Sequence, residues 1–194
     1  RLDRAGVPAP VTARVLVEEL LVDGPFVFHG GERVEADGKT FEVLEVSGRE
    51  TTYARDAQHV YSVQPGAVTR LPFDRQTFVA LGASYGRDAQ SVTYLGGRCP
   101  DFDAASFEVL GREFGRDATR VYHERWPLDA AHRDSFRVLD EEYSVDAHHV
   151  FHRAAYFSDY VDGVTVEPIP GADPRTFVAL PDGYSRDAKQ VFFG

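Results

Sequence analysis

The sequence predicts an α+β fold assembled from tandem repeats. Two short phrases alternate along the chain at near-regular spacing, which is the signature of a repeat architecture. One phrase has the turn chemistry of a β-hairpin, and the other has the cap and apolar spacing of a short helix. We therefore expect units of a β-hairpin or meander plus a short helix. These units either stack like a solenoid or curl into one sheet with helices on one side.

The first phrase predicts the hairpin. It reads aromatic residue, two residues, Asp, usually Ala, two variable residues, Val and a second aromatic residue, as in Phe114 to Tyr122. The Asp of this phrase stands at Asp56, Asp88, Asp117, Asp146 and Asp187, with a weaker copy at Asp23. Because Asp closes turns by bonding its own backbone, we expect it to cap the turn between two strands.

The second phrase, Asp-x-x-Thr/Ser-Phe-x-x-Leu, predicts the helix. Its copies place Phe at Phe41, Phe78, Phe107, Phe136 and Phe177. Asp173 followed by Pro174 resembles a helix N-cap with proline at the first helical position. Phe and Leu three residues apart lie on one face of a helix. A two-turn helix is not stable alone, so each unit must pack on its neighbours.

Segments that depart from the repeat pattern determine the predicted domain organisation. Residues 1–19 are expected to form an N-terminal tether and cap, and residues 20–194 a single domain of five to six repeats. An insertion near 154–170 contains Asp162-Gly163 between β-branched and aromatic residues, which predicts a protruding hairpin. The chain ends on a repeat strand, Val191 to Phe193, whose open edge is a candidate for self-association.

The charge balance limits the classes of partner. With 21 Lys and Arg against 31 Asp and Glu, the chain has a formal charge of −10. Nucleic acid and anionic membranes both favour basic proteins, so neither is expected as the main partner. No apolar run reaches the length of a membrane helix, and Cys99, the single cysteine, excludes an intrachain disulfide.

The two phrases together resemble the repeats of the bacterial DKNYY family, which read Tyr-Ala-Lys-Asp-Lys, two variable residues and Val-Tyr-Tyr. Those repeats alternate with Asp-Pro-x-Thr-Phe-x-x-Leu, and the similarity runs from about residue 20 to 194. The chain departs from the family in using Arg55, Arg87, Arg116 and Arg186 for the first Lys and mostly Ala for the second. The resemblance implies a bacterial repeat protein, often of the cell envelope, and carries over no catalytic residue.

Histidines are the candidate metal ligands. His148, His149 and His152 form a His-His-x-x-His cluster, and His123 shares the repeat position of His152. Stacked units would bring His123 and His152 side by side, an arrangement that suits zinc. The competing interpretation is that these histidines are solvated or packed residues. Glycine-rich phosphate loops and Ser-His-Asp signatures are absent, so we expect no cofactor and no enzymatic activity.

The inserted hairpin is the candidate site for a partner. Tyr156, Phe157 and Tyr160 are the rigid aromatic residues that protein interfaces favour. We therefore expect a non-enzymatic protein-interaction scaffold with a protein partner, and the acidic charge favours a basic one. An immunity-type inhibitor of a bacterial toxin is the specific version. The alternatives are a cell-envelope module that binds glycan or metal and, third, a hydrolase; the compartment stays open.

Overall fold

The computed structural model describes residues 13–17, 19–47, 51–156 and 163–193. These described residues contain no helix and form six small antiparallel sheets, numbered 1 to 6 in chain order. Consecutive strands pair in each sheet, so each sheet is an up-and-down meander. The predicted α+β class is therefore wrong, and so is the variant with helices on one side of a curled sheet. Within the described ranges the protein is all-β.

The strands of the first three sheets are short. Sheet 1 contains β1 (Arg14–Val17), β2 (Leu20–Asp23), β3 (Phe26–His29) and β4 (Glu32–Val34). Sheet 2 contains β5 (Glu42–Ser47), β6 (Thr51–Arg55), β7 (Val60–Gln64) and β8 (Ala67–Leu71). Sheet 3 contains β9 (Val79–Gly82), β10 (Tyr85–Arg87), β11 (Val92–Tyr94) and β12 (Gly97–Cys99).

The last three sheets follow the same plan. Sheet 4 contains β13 (Glu108–Gly111), β14 (Phe114–Arg116), β15 (Val121–His123) and β16 (Trp126–Pro127). Sheet 5 contains β17 (Arg137–Val138), β18 (Tyr143–Val145), β19 (Val150–Tyr156) and β20 (Gly163–Pro168). Sheet 6 contains β21 (Val178–Ala179), β22 (Tyr184–Arg186) and β23 (Val191–Phe193).

The segment predicted as a helix is instead a tight turn followed by a strand. In the second copy, the Thr77 N–H donates to the Asp74 carbonyl at 3.2 Å, which closes an i to i+3 turn. Phe78 follows this turn, and β9 begins at the next residue. The same turn, from Asp or His to Thr or Ser, precedes β5, β13, β17 and β21. The Phe-x-x-Leu half of the phrase is therefore extended.

Each sheet has two faces that pack differently. Alternation along a strand puts Tyr53 on one face of sheet 2 and Ala54 on the other. We call the face with Ala54 and Tyr61 the front face, and the face with Tyr53, Val60 and Ser62 the back face. The back-face positions of the other sheets are Leu20, Val27 and His29; Tyr85, Val92 and Tyr94; Phe114, Val121 and His123; Tyr143, Val150 and His152; and Tyr184, Val191 and Phe193.

The chain divides into two compact units, Arg1–Arg98 and Cys99–Gly194. In the first unit, Leu20 and Val27 on the back face of sheet 1 share a core cluster with Phe41, Ala54 and Tyr61 at the front of sheet 2. Tyr53 and Val60 on the back face of sheet 2 share the next cluster with Phe78, which precedes sheet 3.

The second unit repeats this arrangement. Phe114 and Val121 on the back face of sheet 4 pack with Phe136 and Phe151 at the front of sheet 5. The back face of sheet 5 packs in turn with Phe177 and Phe192 at the front of sheet 6. Within each unit, the back face of one sheet therefore packs on the front face of the next sheet.

Two sequence predictions concern the parts of the chain near the described limits. The predicted tether and cap, residues 1–19, includes β1, and residues 1–12 lie outside the described ranges. The single domain over residues 20–194 stays a prediction. No helix in the described ranges is long and apolar enough to cross a membrane.

Candidate functional site

One buried aspartate closes a hairpin turn in each of sheets 2 to 6, and Asp117 shows how. Asp23, the weaker copy in sheet 1, is exposed. The Oδ1 atom of Asp117 accepts hydrogen bonds from the N–H groups of Thr119 and Arg120 at 2.7 and 3.0 Å. Its Oδ2 accepts from the N–H of Asp103, in the preceding turn, at 3.0 Å. The equivalent three bonds are made by Asp56, Asp88, Asp146 and Asp187. The prediction that these aspartates cap turns is confirmed.

The Thr or Ser hydroxyl of the Asp-x-x-Thr/Ser-Phe phrase makes a second connection to the hairpin phrase. Ser106 donates to the Asp103 carboxylate at 2.5 Å, and its Oγ accepts from the Ala118 N–H at 2.8 Å. The equivalent bond from an alanine N–H reaches Thr40, Thr77, Ser135 and Thr176. The two phrases alternate in the sequence because each turn of one phrase is bonded to a turn of the other.

These bonds hold the carboxylates in the ionised form. Burial opposes the charge on Asp117, but N–H donors from Asp103 and Thr119 and the hydroxyls of Thr119 and Tyr122 outweigh it. They lower the pKa of Asp117 to about 2. The pKa values of Asp56, Asp88 and Asp146 are lowered by the same balance. With both oxygens bonded to backbone N–H groups, these carboxylates stabilise turns.

The four candidate metal-binding histidines have different surroundings. His148 is exposed, with its ring 5.3 Å from the ring of His132. The Nδ1 atom of His149 lies 3.5 Å from the Asp146 carboxylate. The ring of His152 stacks on Tyr143 at 5.1 Å. His123 is buried against Phe114, with 4.7 Å between ring centroids.

A different trio holds the ligand-type atoms closest together. Within the described ranges, Glu113, His123 and Glu124 place one ligand atom each within 4.8 Å of one another. The guanidinium of Arg153 already lies in this group, 2.9 Å from Glu113 Oε2 and 3.3 Å from His123 Nε2. Burial and the charge of Arg153 lower the pKa of His123 to about 4. The cluster thus holds an internal cation next to a neutral histidine.

His152 lines a cleft of about 300 Å³ in the second compact unit. Tyr143 and Glu167 contribute from sheet 5, and Ser185 and Phe193 contribute from sheet 6. The Ser185 Oγ atom is buried and has no hydrogen-bond partner in the structure. Metal binding by His148, His149, His152 and His123 stays a prediction.

The predicted partner-binding residues lie in and next to a segment that is outside the described residues. Phe157 and Tyr160 lie outside the described residues, as does the side chain of Tyr156. The strands that flank them, β19 and β20, pair from Phe151 and Pro168 to Tyr156 and Gly163. A role for these three aromatic residues in partner binding stays a prediction.

A second candidate surface, which the sequence analysis missed, lies on sheet 6. Its back face, here called the terminal face, exposes 47% of Tyr184, 66% of Val191 and 72% of Phe193. The equivalent back-face residues of sheets 1 to 4 are at most 7% exposed. The rings of Tyr184 and Phe193 lie 4.8 Å apart. Val191 occupies the same position in its repeat as Val60 and Val121, which are buried. This correspondence is the sequence signal that could have identified an apolar face here.

Sheet 1 carries an apolar groove on its front face. The groove, here called the leading groove, has a volume of about 470 Å³ and is lined by Val15, Glu19, Leu20, Leu21, Phe28 and the glycine pair at 30–31. Val15 is 72% exposed. Leu21 and Phe28, which form part of the groove wall, correspond to Ala54 and Tyr61 in sheet 2.

Over the described residues the structure therefore defines a class, an all-β protein of small meanders, and sheets 2 to 6 share one turn architecture. A family model described as the DKNYY family matches residues 21–194, and the chain belongs to this family. The resemblance inferred from the phrases is thus confirmed. No curated protein and no solved structure matches the chain.

Proposed function

We propose that this chain is a non-enzymatic protein-interaction module whose binding surface is the terminal face. The observation that carries the proposal is the exposure of Tyr184, Val191 and Phe193, at positions that are buried in sheets 1 to 4. Burying a large apolar side chain contributes roughly 1.5–3 kcal/mol, so covering this face favours association. Paired exposed aromatic residues are also the side chains that dominate binding at protein interfaces.

The polar residues support a structural role rather than a catalytic one. The turn aspartates are bonded to backbone N–H groups, and Arg153 lies over His123. A general base or a metal ligand needs a lone pair that a substrate or an ion can reach. In these described sites the lone pairs of Asp117 and His123 are already engaged.

The charge of −10 favours a basic protein as the partner. The finer version of the proposal is an immunity-type inhibitor that masks a basic bacterial toxin. In that case the terminal face supplies the apolar contact and the acidic surface speeds association. Binding should weaken as salt is raised, because salt screens attraction between opposite charges.

The test compares capture of cellular proteins by the wild type and by Phe193→Glu and Trp126→Glu. Trp126 is 67% exposed but lies outside the terminal face, so its variant is the matched control. We expect a protein that binds the wild type and Trp126→Glu, is lost from Phe193→Glu, and binds again as a purified component. Partners that bind all three proteins equally would contradict the terminal face as the binding surface.

The cell-envelope alternative, with glycan or metal as ligand, has its own readout. Glycan binding should be lost in Tyr156→Ala and Tyr160→Ala and should respond little to salt. Metal binding would give heat in a zinc titration of the wild type that His123→Ala or His152→Ala reduces. Glu113, His123 and Glu124 are the grouping that favours a metal, and Arg153 must leave before an ion could bind there.

A further inference from the structure

Three histidines lie together at two bonded turns of sheet 5. His148 and His149 follow Asp146 in the hairpin turn, and His132 stands in the turn before β17, at the place where the other copies of that phrase have aspartate. The backbone N–H groups of all three histidines donate to the Asp146 carboxylate, each at 2.6 Å. One buried carboxylate therefore fixes the backbone positions from which three imidazole side chains project.

The rings of His132 and His148 have the spacing of two ligands on one metal ion. Their centroids lie 5.3 Å apart. A zinc ion lies about 2.0 Å from each imidazole nitrogen in a tetrahedral site, which places two ring centroids about 5 Å apart. The two rings meet edge to face, and both residues are exposed. Rotation about side-chain bonds, with the backbone held in place, can therefore aim both rings at one ion.

The protein already engages one ring nitrogen in two of the three histidines. Nδ1 of His132 lies 2.9 Å from the Ser135 hydroxyl oxygen. Nδ1 of His149 is buried, 3.5 Å from the Asp146 carboxylate. A protein group at one nitrogen orients the ring and leaves the other nitrogen to a metal, as in most metal-binding histidines. The rings of His148 and His149 lie 6.2 Å apart, a separation that side-chain rotation can shorten.

From this arrangement we propose that His132 and His148, with His149 as the third ligand, bind a divalent transition-metal ion such as Zn²⁺. Imidazole suits zinc, copper and nickel. The site is distinct from the group of ligand atoms that already holds the guanidinium of Arg153. It goes beyond the proposed function, because it requires neither the terminal face nor a protein partner.

Sheet 2 supplies an internal comparison. His59 takes the place of the third histidine there, with Nδ1 3.8 Å from the Asp56 carboxylate. Asp37 and Gln58 take the other two places. The same turn geometry is thus present with one imidazole in place of three. Loss of His59 therefore measures the weak zinc binding of a single histidine in this turn.

The experiment is a calorimetric zinc titration of the full chain, prepared without a polyhistidine tag. The variants are His132→Asn, which keeps a turn-forming side chain, and His148→Gln, since glutamine stands there in sheets 2 and 3. The matched control is His59→Ser. We expect the wild type and His59→Ser to bind one ion per chain with equal affinity. His132→Asn and His148→Gln should each weaken binding by at least about tenfold, and His149→Ser should weaken it too.

Nuclear magnetic resonance of the histidine ring nitrogens identifies the ligands directly. Zinc should shift the ring-nitrogen signals of His132 and His148 and leave those of His59 unchanged. Zinc binding that persists unweakened in both His132→Asn and His148→Gln would overturn the inference and indicate another site, such as that of His123. A wild type with neither heat nor shifted signals would overturn it as well, and the capture experiment would still decide the proposed function. Circular dichroism of each variant checks that it is folded.

Discussion

At the scale of single residues, the turn aspartates explain how buried charges are tolerated in so small a sheet. Asp117 is fully buried, yet its two oxygens accept three backbone N–H groups. Hydrogen bonds to an ionised acceptor are stronger than neutral ones and offset the loss of hydration. One side chain therefore stabilises two turns, its own and the one before it.

Replacing Asp117 by Asn should destabilise the protein by about 2–3 kcal/mol. The amide group turns one acceptor into a donor, which then faces the N–H of either Asp103 or Thr119. Urea unfolding followed by circular dichroism measures the change. Asp129→Asn, at an exposed aspartate, is the matched control and should change stability by less than about 0.5 kcal/mol. Equal effects in both variants would contradict the role assigned to Asp117.

Acid should destabilise the folded protein in two stages. The folded pKa of His123 is about 4, below the value of about 6.5 in an unfolded chain, so the unfolded state binds the proton first. Stability conferred by neutral His123 is present above pH 6.5 and falls by about 2 kcal/mol by pH 5. The turn aspartates, with pKa lowered to about 2 for Asp117, lose their contribution between about pH 4 and 2.

Urea unfolding at a series of pH values tests both stages. His123→Tyr removes the first titration, and Tyr94 already occupies the equivalent position opposite Tyr85 in sheet 3. The variant should therefore keep constant stability from pH 7 to 5 and still lose stability below pH 4. A variant with the slope of the wild type above pH 5 would contradict the role of His123.

At the scale of elements, the helix prediction was wrong because the Phe-x-x-Leu spacing is compatible with an extended strand as well as with a helix. Phe41 and Leu44, three residues apart, lie on one side of a helix but on opposite faces of an extended strand. In the structure Phe41 packs with sheet 1 on the front face of sheet 2, and Leu44 packs with Tyr53 and Phe78 on the back face. The Asp cap is equally ambiguous, since it bonds the same nearby N–H groups in a helix and in a turn.

The deciding contact was not local. The Thr40 hydroxyl accepts from the Ala57 N–H, which lies 17 residues further along the chain. Sequence patterns near Thr40 contain no information about that partner. The hairpin aspartates were predictable because their bonds reach residues two and three positions ahead. The sequence analysis named the edge of the strand from Val191 to Phe193 and not its face, and the coordinates show that the side chains of Val191 and Phe193 are exposed.

The second residue of the hairpin phrase is small because a phenylalanine covers it. A Cβ atom added at Gly115 would lie 2.4 Å from Phe107 Cζ, and one at Gly86 would lie 2.6 Å from Phe78 Cζ. Since both rings are buried, Gly115→Ala should destabilise the protein by about 1–3 kcal/mol. Adding Phe107→Leu should recover part of the loss, which a double-mutant cycle in urea would measure.

Ser185→Ala is the matched control for this prediction. Ser185 occupies the same position in sheet 6, already has a Cβ atom, and its buried Oγ has no hydrogen-bond partner in the structure. Removing an unpaired buried hydroxyl should leave stability unchanged or raise it. If Gly115→Ala were as neutral as Ser185→Ala, the close approach of Phe107 would not explain the small residue.

At the scale of the whole molecule, each core cluster described inside the two compact units belongs to two consecutive sheets. Phe41 packs in a cluster of sheets 1 and 2, and Phe136 packs in a cluster of sheets 4 and 5. In such an arrangement, stability is a sum of local terms and neighbour contacts. A defect in one cluster should therefore loosen the sheets beside it and leave distant sheets protected.

Hydrogen exchange measured by mass spectrometry tests this division with two mirrored variants. Phe41→Leu and Phe136→Leu each remove buried ring atoms at a cost of about 1–2 kcal/mol. The first should speed exchange in β2, β3, β6 and β7 and spare β18 and β19, while the second should show the reverse pattern, since local opening follows local contacts. Uniformly faster exchange along the whole chain in either variant would mean that the molecule opens as one cooperative body.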